Sequence, residues 1–574
     1  MGERIDRDPM PSDPHHDAKG DLESIASNEE PTSILPKEMD YPNASRDAPD
    51  EDIRYEYLTF ETPIPLDERL YSIDGAVTST VPLPNLRQYD SPFDWSSSRK
   101  NIILVISCWC TFTAAYSAGA YSIASDPQRE KWHISSVVFS VGVTMWALGF
   151  ACSPMLLAPF SEINGRRPVF IGSAVMFLAG QIGCAATNSF AAMLVFRFIV
   201  GAGASTFATM VGGVVSDMYH AEHRNTPMAI YSGSALAGTG FGCLLSGFIV
   251  GRASYRWVYY HQIISLSLLF VVVCVFFKET RGSVLLSRKA KALNEYLEKI
   301  EHQNQAQHGP EKPAPPPTSS APPTPARLRY KVAADENRSS LRHMLYLSLT
   351  LPFKLLATEP VVFFFSLWAS FAWAVLYMTF SVLPLIFRTR HNFTTEQNGA
   401  VFAAISIGSI LATILSIVQE RIAKRHWPKL TESPEGRLYF ACLESAFLPI
   451  GLFWFGWTTS SSIHWISPVL AIGCAQIGIF VIYLAVFNYL ADVYHRYASS
   501  ALAAQSFMRN LMAAIFPLFT DQMFRNIGYP QASSLLGGIS ALLTLVPWIL
   551  LFNGEKIRAR SRIAREIMSQ GAAG

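Results

Sequence analysis

Three ionisable side chains stand where charge is expensive. Arg197, Glu444 and Arg509 each lie well inside a long apolar run. If these runs cross lipid, a charge near mid-depth costs at least about 2.5–3.5 kcal/mol on insertion scales, so a functional role is the default reading. A buried arginine can hold a polar group of a ligand or lower the pKa of a neighbouring acid. It can equally cap the carbonyls of adjoining helices. Glu444 is the best-placed carboxylate to carry a proton; the alternative is a pair with a base near the membrane edge, such as Arg437. The seventh apolar run adds Phe363, Phe364, Phe365, Trp368, Phe371, Trp373 and Tyr377. Such rings stack on flat or cationic ligands, or belt the lipid interface. Trp373 and Tyr377, with Tyr116 and Asn488, are the aromatic and amide candidates for a cavity wall.

A second set of charges lies at the ends of the runs. Leu156 to Phe170 reads LLAPFSEINGRRPVF and places Glu162, Gly165, Arg166 and Arg167 at one turn. Glycine permits a tight reversal. The carboxylate and the two guanidiniums are expected to form ion pairs at the mouth of a bundle, against simple anchoring by positive charge. Asp217, Glu222 and Arg224 make a second cluster after the fourth run. Asp217 opens a D-x-Y-H tetrad (Asp217, Tyr219, His220) that returns after the tenth run as Asp492, Tyr494 and His495. The recurrence at matching ranks predicts two parallel repeats, an arrangement suited to rocking around a central site.

The elements that must position these residues are helices. The chain has 574 residues, of which 50% are hydrophobic and 16% charged. Residues 1–98 hold 22 of the 44 acids and 8 of the 46 bases, so the remainder carries 38 bases against 22 acids. That balance excludes a soluble enzyme of ordinary composition, a disulfide scaffold and a wholly disordered chain. A bilayer core of about 30 Å needs roughly 20 apolar residues in a helix. Twelve runs qualify, at about 101–124, 135–159, 168–187, 191–216, 226–250, 257–277, 360–387, 397–418, 437–458, 464–490, 498–523 and 531–553. Backbone groups in lipid must pair within their own segment, so the fold class is an all-α integral membrane protein: twelve transmembrane helices in two six-helix pseudo-repeats.

The expected organisation has five parts: a disordered acidic tail over 1–98, a six-helix bundle over 99–277, a Pro-rich basic linker over 278–357, a second bundle over 358–553 and a basic tail over 554–574. Within the linker, Leu285 to Ile300 can form a surface helix beside the membrane, and the proline run from Pro310 to Arg329 favours an extended, solvated chain. Lys and Arg concentrate on the side holding both termini and the linker, which predicts that side to be cytoplasmic. Asn392 then falls in an outside loop, where Asn392-Phe393-Thr394 is a glycosylation acceptor pattern. The eight cysteines all sit in apolar runs and read as small buried hydrophobes.

The loop APFSEINGRRP resembles the signature of the major facilitator superfamily, and in this form that of fungal twelve-helix drug:proton antiporters. SPFDWSSSRK resembles the lead-in to the first helix of that group, and LVFRFIVGAGAS resembles its fourth-helix motif with an intramembrane arginine. PEGRLYFACLESAFLPIGLFWFGWT, NYLADVYHRYASSALAAQSFMRN and FPLF resemble its ninth to eleventh helices. The likeness covers about residues 92 to 565. It implies secondary transport, usually proton-driven efflux of small organic molecules such as drugs, secondary metabolites, polyamines or organic acids. It also implies that Glu162, Gly165, Arg166, Arg167, Asp217, Glu222, Arg224 and Asp492 belong to a cytoplasmic gate. The fifth helix departs from the group: Cys243 stands where a proline is usual, so any kink must come from glycines alone.

The sequence carries no phosphate-binding Gly-rich loop, no metal-spaced cluster and no nucleophile elbow, so no cofactor or metal is expected. The basic linker between two membrane bundles suits anionic lipid better than nucleic acid. The expected partners are a small-molecule substrate, the proton and membrane lipid, with the chain acting as a monomer in the plasma membrane. The first rival reading is an importer or facilitator of an organic acid or nutrient on the same fold. A remote rival is a membrane-embedded enzyme or receptor, for which the outside loops are short.

Overall fold

The computed structural model describes residues 53–64, 84–308, 327–336, 340–427, 435–436, 438–494 and 497–560. The chain divides into two compact units, Met1–Arg54 with Pro316–Leu328, and Tyr55–Pro315 with Arg329–Gly574; every helix named below belongs to the second. The first six are α1 (Ser97–Ile123), α2 (Ser136–Asn164), α3 (Arg166–Ala186), α4 (Phe190–Met218), α5 (Asn225–Arg252) and α6 (Trp257–Phe276). Two follow in the polar stretch, α7 (Gly282–His308) and α8 (Leu341–Thr358). Then come α9 (Pro360–His391), α10 (Thr395–His426), α11 (Leu438–Trp457), α12 (Ile466–Tyr494), α13 (Ala498–Ile527) and α14 (Tyr529–Gly554).

Each of the twelve apolar runs falls on one helix. Among the described residues, eleven helices are long and apolar enough to cross a membrane. The exception is α13, which has 30 residues but carries Gln505, Ser506, Arg509 and Asn510 in its middle turns. The two sets of six repeat one packing scheme. In each, the first helix packs on the fifth, the second on the fourth, and the third on the fourth and sixth. The sets meet through α2 against α13 and α5 against α10, the same two ranks exchanged. This pairing is the spatial counterpart of the D-x-Y-H repeat.

Small residues set the closest approach. A Cβ added at Gly242 on α5 would stand 2.3 Å from the Tyr116 carbonyl oxygen of α1, so only glycine fits that contact. Cys243 donates its thiol to the Gly119 carbonyl at 3.2 Å, and α5 runs unbroken from Asn225 to Arg252. Lipid-facing surfaces are apolar: Ile264, Leu268 and Val271 on α6 and Ile407, Leu411 and Ile414 on α10 are all exposed. Such a girdle is stable only against hydrocarbon.

The structure corrects the sequence reading of the leader. Residues 53–64 and 84–98, expected to be disordered, have defined structure. A strand β1 (Ile53–Tyr57) pairs with β2 (Arg327–Lys331) in a two-stranded sheet. IRYEY and RLRYK carry the tyrosines and branched residues that favour strands, and neither could be stable alone. The sheet is held to α7, where Asn294 brackets the backbone of Tyr330 (Nδ2 to its carbonyl 2.9 Å, its N–H to Oδ1 2.8 Å). Arg329 makes two 2.6 Å hydrogen bonds to Glu301. Tyr57 donates to Glu336, holding that carboxyl below its ordinary range together with Lys331. The expected surface helix exists: α7 buries Leu285, Leu293, Leu297 and Ile300 along one face. Residues 309–326 of the proline run lie outside the described residues. The linker also holds a second helix, α8, packed on α2 and α13, whose Ser348 donates to the Met155 carbonyl at 2.7 Å.

Candidate functional site

Arg509 stands at the eleventh residue after the start of α13, about 17 Å along it at 1.5 Å per residue. It is 4% exposed. Its guanidinium lies over Trp373 of α9 at 4.3 Å and Tyr483 of α12 at 4.8 Å. Nη2 reaches Ser506 at 3.5 Å, while the described residues offer Nε and Nη1 no acceptor. Rings extend the site in both directions. Trp373 lies 6.5 Å from Tyr377, which lies 6.4 Å from Trp146 of α2. The Tyr483 hydroxyl meets that of Tyr231 on α5 at 3.4 Å, and Tyr231 donates to the Ala208 carbonyl. Both six-helix sets thus contribute to one aromatic belt around a buried cation.

Arg197 lies at the far end of the same belt. It is 1% exposed. Nε donates to the Gly142 carbonyl and Nη1 to the Ser117 carbonyl, each at 3.2 Å, and the head lies over Tyr121 at 4.3 Å. Trp146 donates its indole N–H to Ser117 Oγ at 3.2 Å, which joins Arg197 to the rings. This is a hydrogen-bond hub tying α4 to α1 and α2.

The charged turn forms a knot where α1 begins, called here the terminal face. Gly165 adopts φ +99°, and a Cβ there would stand 2.2 Å from Glu279 Oε2. Glycine is required on both counts. Arg166 Nε pairs with Asp217 Oδ2 at 3.1 Å, and Arg281 Nη1 reaches Asp217 Oδ1 at 3.5 Å. The carboxylate expected to bind the arginines, Glu162, is half-buried and makes no ion pair among the described residues. Glu279 takes its place. It accepts the backbone N–H groups of Arg166 (2.8 Å) and Arg167 (3.2 Å), as well as those of Thr280 and Arg281. Arg166 and Arg167 open α3, and the free N–H groups of a helix start demand an acceptor placed ahead of them. Glu162 sits on the preceding helix's last turn; Glu279, arriving from the end of α6, is placed to cap. Arg167 Nη2 donates instead to the Cys274 carbonyl at 2.8 Å.

The second predicted cluster is divided. Asp217 joins the first knot. Glu222 is exposed, and its carbonyl accepts Lys424 Nζ of α10 at 2.7 Å, while Arg224 is half-buried nearby in sequence. Asn488 donates to Asn225 Oδ1 at 2.8 Å, and Thr226 to Glu420 at 3.2 Å, so these residues stitch the two sets at the terminal face. Asp492 is half-buried in the last turn of α12; His495 lies outside the described residues, and Tyr494 donates to buried Glu359 at 3.3 Å. The opposite face has its own contacts between sets: Arg252 with Glu396 at 3.0 Å, Ser136 with Asp521 at 3.0 Å, and Arg388 with Asp126.

Other candidates lie apart from the belt. Tyr116 donates toward His261 of α6 at 2.6 Å and packs with Phe112 and Phe241 on the outer side of the first set. Glu444 is 9% exposed and accepts from Gln419 of α10; Arg437 lies outside the described residues. The helix breaks after Glu444 and resumes at Phe447. Asn392 is exposed with φ +54° and ends α9, and Thr394 caps the start of α10 in a reciprocal box with Gln397. A small apolar cavity of about 40 Å³ inside the second set is lined by Val375, Met378, Ile405 and Gln476. Its lining is almost wholly apolar, with Gln476 as its one amide, so it offers no set of polar partners to orient a ligand. Of the residues named from the sequence, the structure brings Arg509, Trp373 and Tyr377 together; Tyr231, Tyr483 and Trp146 beside them, and Glu279 and Arg281 in the knot, were not named there.

Two like bundles meeting around a buried polar centre define a membrane transporter, and known proteins agree. The xylose transporter XylE from E. coli shares the fold, with TM-score 0.55 and 14% identity over 79% of this chain and 98% of that one. The profile of the Major Facilitator Superfamily matches residues 107–517, and the chain belongs to that family. It is a transporter and not an enzyme. "Efflux pump atB" of Aspergillus terreus is 33% identical over 443 residues, covering 76% of this chain and 86% of the relative. "Major facilitator superfamily multidrug transporter mdrA" of Aspergillus fumigatus is 30% identical over 478 residues, covering 83% and 74%.

Proposed function

We propose that this chain is a proton-coupled exporter of small organic molecules that works by alternating access around the Arg509 belt. The observation that carries this reading is the composition of the belt: α2 and α5 of one set and α9, α12 and α13 of the other each place a ring or the cation in one buried centre. A ligand bound there touches both sets and biases their relative position through its differential affinity for the two arrangements. The efflux pumps among the relatives support the direction of transport.

In this reading α13 is the twelfth crossing, the bundles span residues 99–277 and 358–553, and the chain works as a monomer in the plasma membrane. Both termini and the linker are cytoplasmic, which agrees with the bases of the terminal face. The Asp217–Arg166–Arg281 knot and the Asn488–Asn225 contact close that face; Arg252–Glu396 and Ser136–Asp521 close the other. Arg197 positions the belt. Glu444, buried against a neutral amide, is the proton carrier, because no cation pairs with it among the described residues. Asn392 is the acceptor for an outside glycan. The test is a substrate panel in proteoliposomes with an imposed pH gradient. Flux that follows the gradient is expected, with Glu444→Gln retaining binding and losing the coupling. Flux indifferent to the gradient would remove proton coupling, and normal coupled flux in Glu444→Gln would remove Glu444 as its carrier.

A further inference from the structure

The belt is unusual in what it leaves unpaired. On α9 and α13, the buried side-chain nitrogens without a hydrogen-bond partner among the described residues are Trp368 Nε1, Trp373 Nε1, Gln505 Nε2, Arg509 Nε and Nη1, and His391 Nε2 at the last residue of α9. All but the His391 nitrogen, which serves either way and stands at the end of its helix, are donors. Ser366 and Ser370 Oγ, also unpaired there, serve either way. Gln505 precedes Arg509 by four residues, one turn of α13, and so shares its side of the helix. Trp373 faces Arg509 directly. A buried donor left without an acceptor is costly, and a buried charge without a counter-charge more so. Arg509 makes no ion pair among the described residues, and the rings of Trp373 and Tyr483 compensate its charge only in part. The same centre repels any second cation that enters it.

We propose that the substrate is an organic anion with a flat conjugated body, its acidic oxygens received by Arg509 with the donors of Trp373 and Gln505, and its ring plane set against Trp373 and Tyr377. This rests on the belt being the transport site. The aromatic walls fix the body: Trp146, Tyr377, Trp373 and Tyr483 follow one another at centroid separations of 5.3–6.5 Å. At those contact distances the rings form one continuous aromatic face, which a flat conjugated body covers better than a bulky aliphatic one. The anion neutralises the guanidinium as it binds, so the empty and loaded centres differ by a full unit of charge. That difference is one to which a rocking transporter can respond.

The experiment compares three probes of one shape: 2-naphthoate, 2-naphthamide and 2-naphthylmethylammonium. Binding to the full chain in lipid nanodiscs is read by quenching of tryptophan fluorescence, and flux is read in proteoliposomes. The expected order is naphthoate at least tenfold tighter than the amide, with the ammonium weakest. Arg509→Gln is expected to level naphthoate with the amide, and Arg509→Lys to restore part of the preference. Equal or tighter binding of the amide or the ammonium to the native chain overturns the proposal, whether or not the variants fold. So does a naphthoate preference that survives Arg509→Gln. Gradient-driven flux of the neutral or cationic probe alone sinks the anion and leaves the transport reading standing. Naphthoate bound at Arg509 but never moved across the vesicle wall supports the site's chemistry and sinks the transport reading instead.

Discussion

The two buried arginines differ in what surrounds them. Arg197 and Arg509 are 1% and 4% exposed, each within a long helix and each beside an aromatic ring. Arg197 spends Nε and Nη1 on backbone carbonyls of two other helices and leaves only Nη2 without an acceptor among the described residues. Arg509 reaches only a serine of its own helix, and at 3.5 Å. One charge is held mainly by scaffold carbonyls; the other leaves two of its three nitrogens for something the scaffold lacks. Burial alone therefore does not mark a binding residue; the donors left over do.

The sharpest way to break this comparison is to remove each charge and measure stability and flux together. Arg197→Gln is expected to lose about 3 kcal/mol of stability, since hydrogen bonds to charged groups contribute about 1.5–3 kcal/mol each. A thermal melt of the detergent-solubilised protein checks it, and an unchanged melting temperature would contradict the hub. Arg509→Gln is expected to go the other way in stability, gaining about 1 kcal/mol because unpaired buried donors cost about 1–3 kcal/mol. Its flux of native substrate should fall roughly 10–100-fold, about 1.4–2.7 kcal/mol. If both variants melt early, the two arginines are alike and the distinction is lost.

The terminal-face knot sharpens the comparison at a smaller scale. Glu279→Gln should lose about 2 kcal/mol, because a charged cap on a helix start becomes neutral and one of its four backbone donors must turn away. Glu162→Gln, by contrast, should melt within about 0.5 kcal/mol of the native chain, as surface changes do. Equal losses would return Glu162 to the knot. Among the changes expected to be felt, Tyr231→Phe is the mildest loss, about 1 kcal/mol from one hydroxyl bond, seen as a modest drop in melting temperature with binding retained.

Much of this was legible in the sequence. Length and apolarity fix the helices, because lipid leaves the backbone no other solution. Arg509 was visible as a charge in an apolar run, and Trp373 as a polar-tipped ring among phenylalanines. Tyr231, Tyr483 and Trp146 were not, since an aromatic residue in a helix buried on most sides has no period to show which neighbour it faces. Glu279 was hidden by distance: Glu162 lies four residues from Arg166, Glu279 over a hundred, and chain proximity pointed to the wrong partner. Its signal was available in K-E-T-R, an acid beside Arg281 just past the end of a span. The leader strand escaped because five residues of alternating β-formers mean little until their partner, 270 residues on, is known.

The β1–β2 pairing carries one more consequence. β1 precedes the first span and β2 follows the sixth, so their sheet closes the first half of the chain into a ring fastened by hydrogen bonds and the Arg329–Glu301 fork. Severing the chain after Glu336 would leave that ring whole, with its own fastener, and the second half would keep its separate packing scheme. The halves are thus joined the way two hinged plates are, by contact along their edges, while one of them carries its own latch.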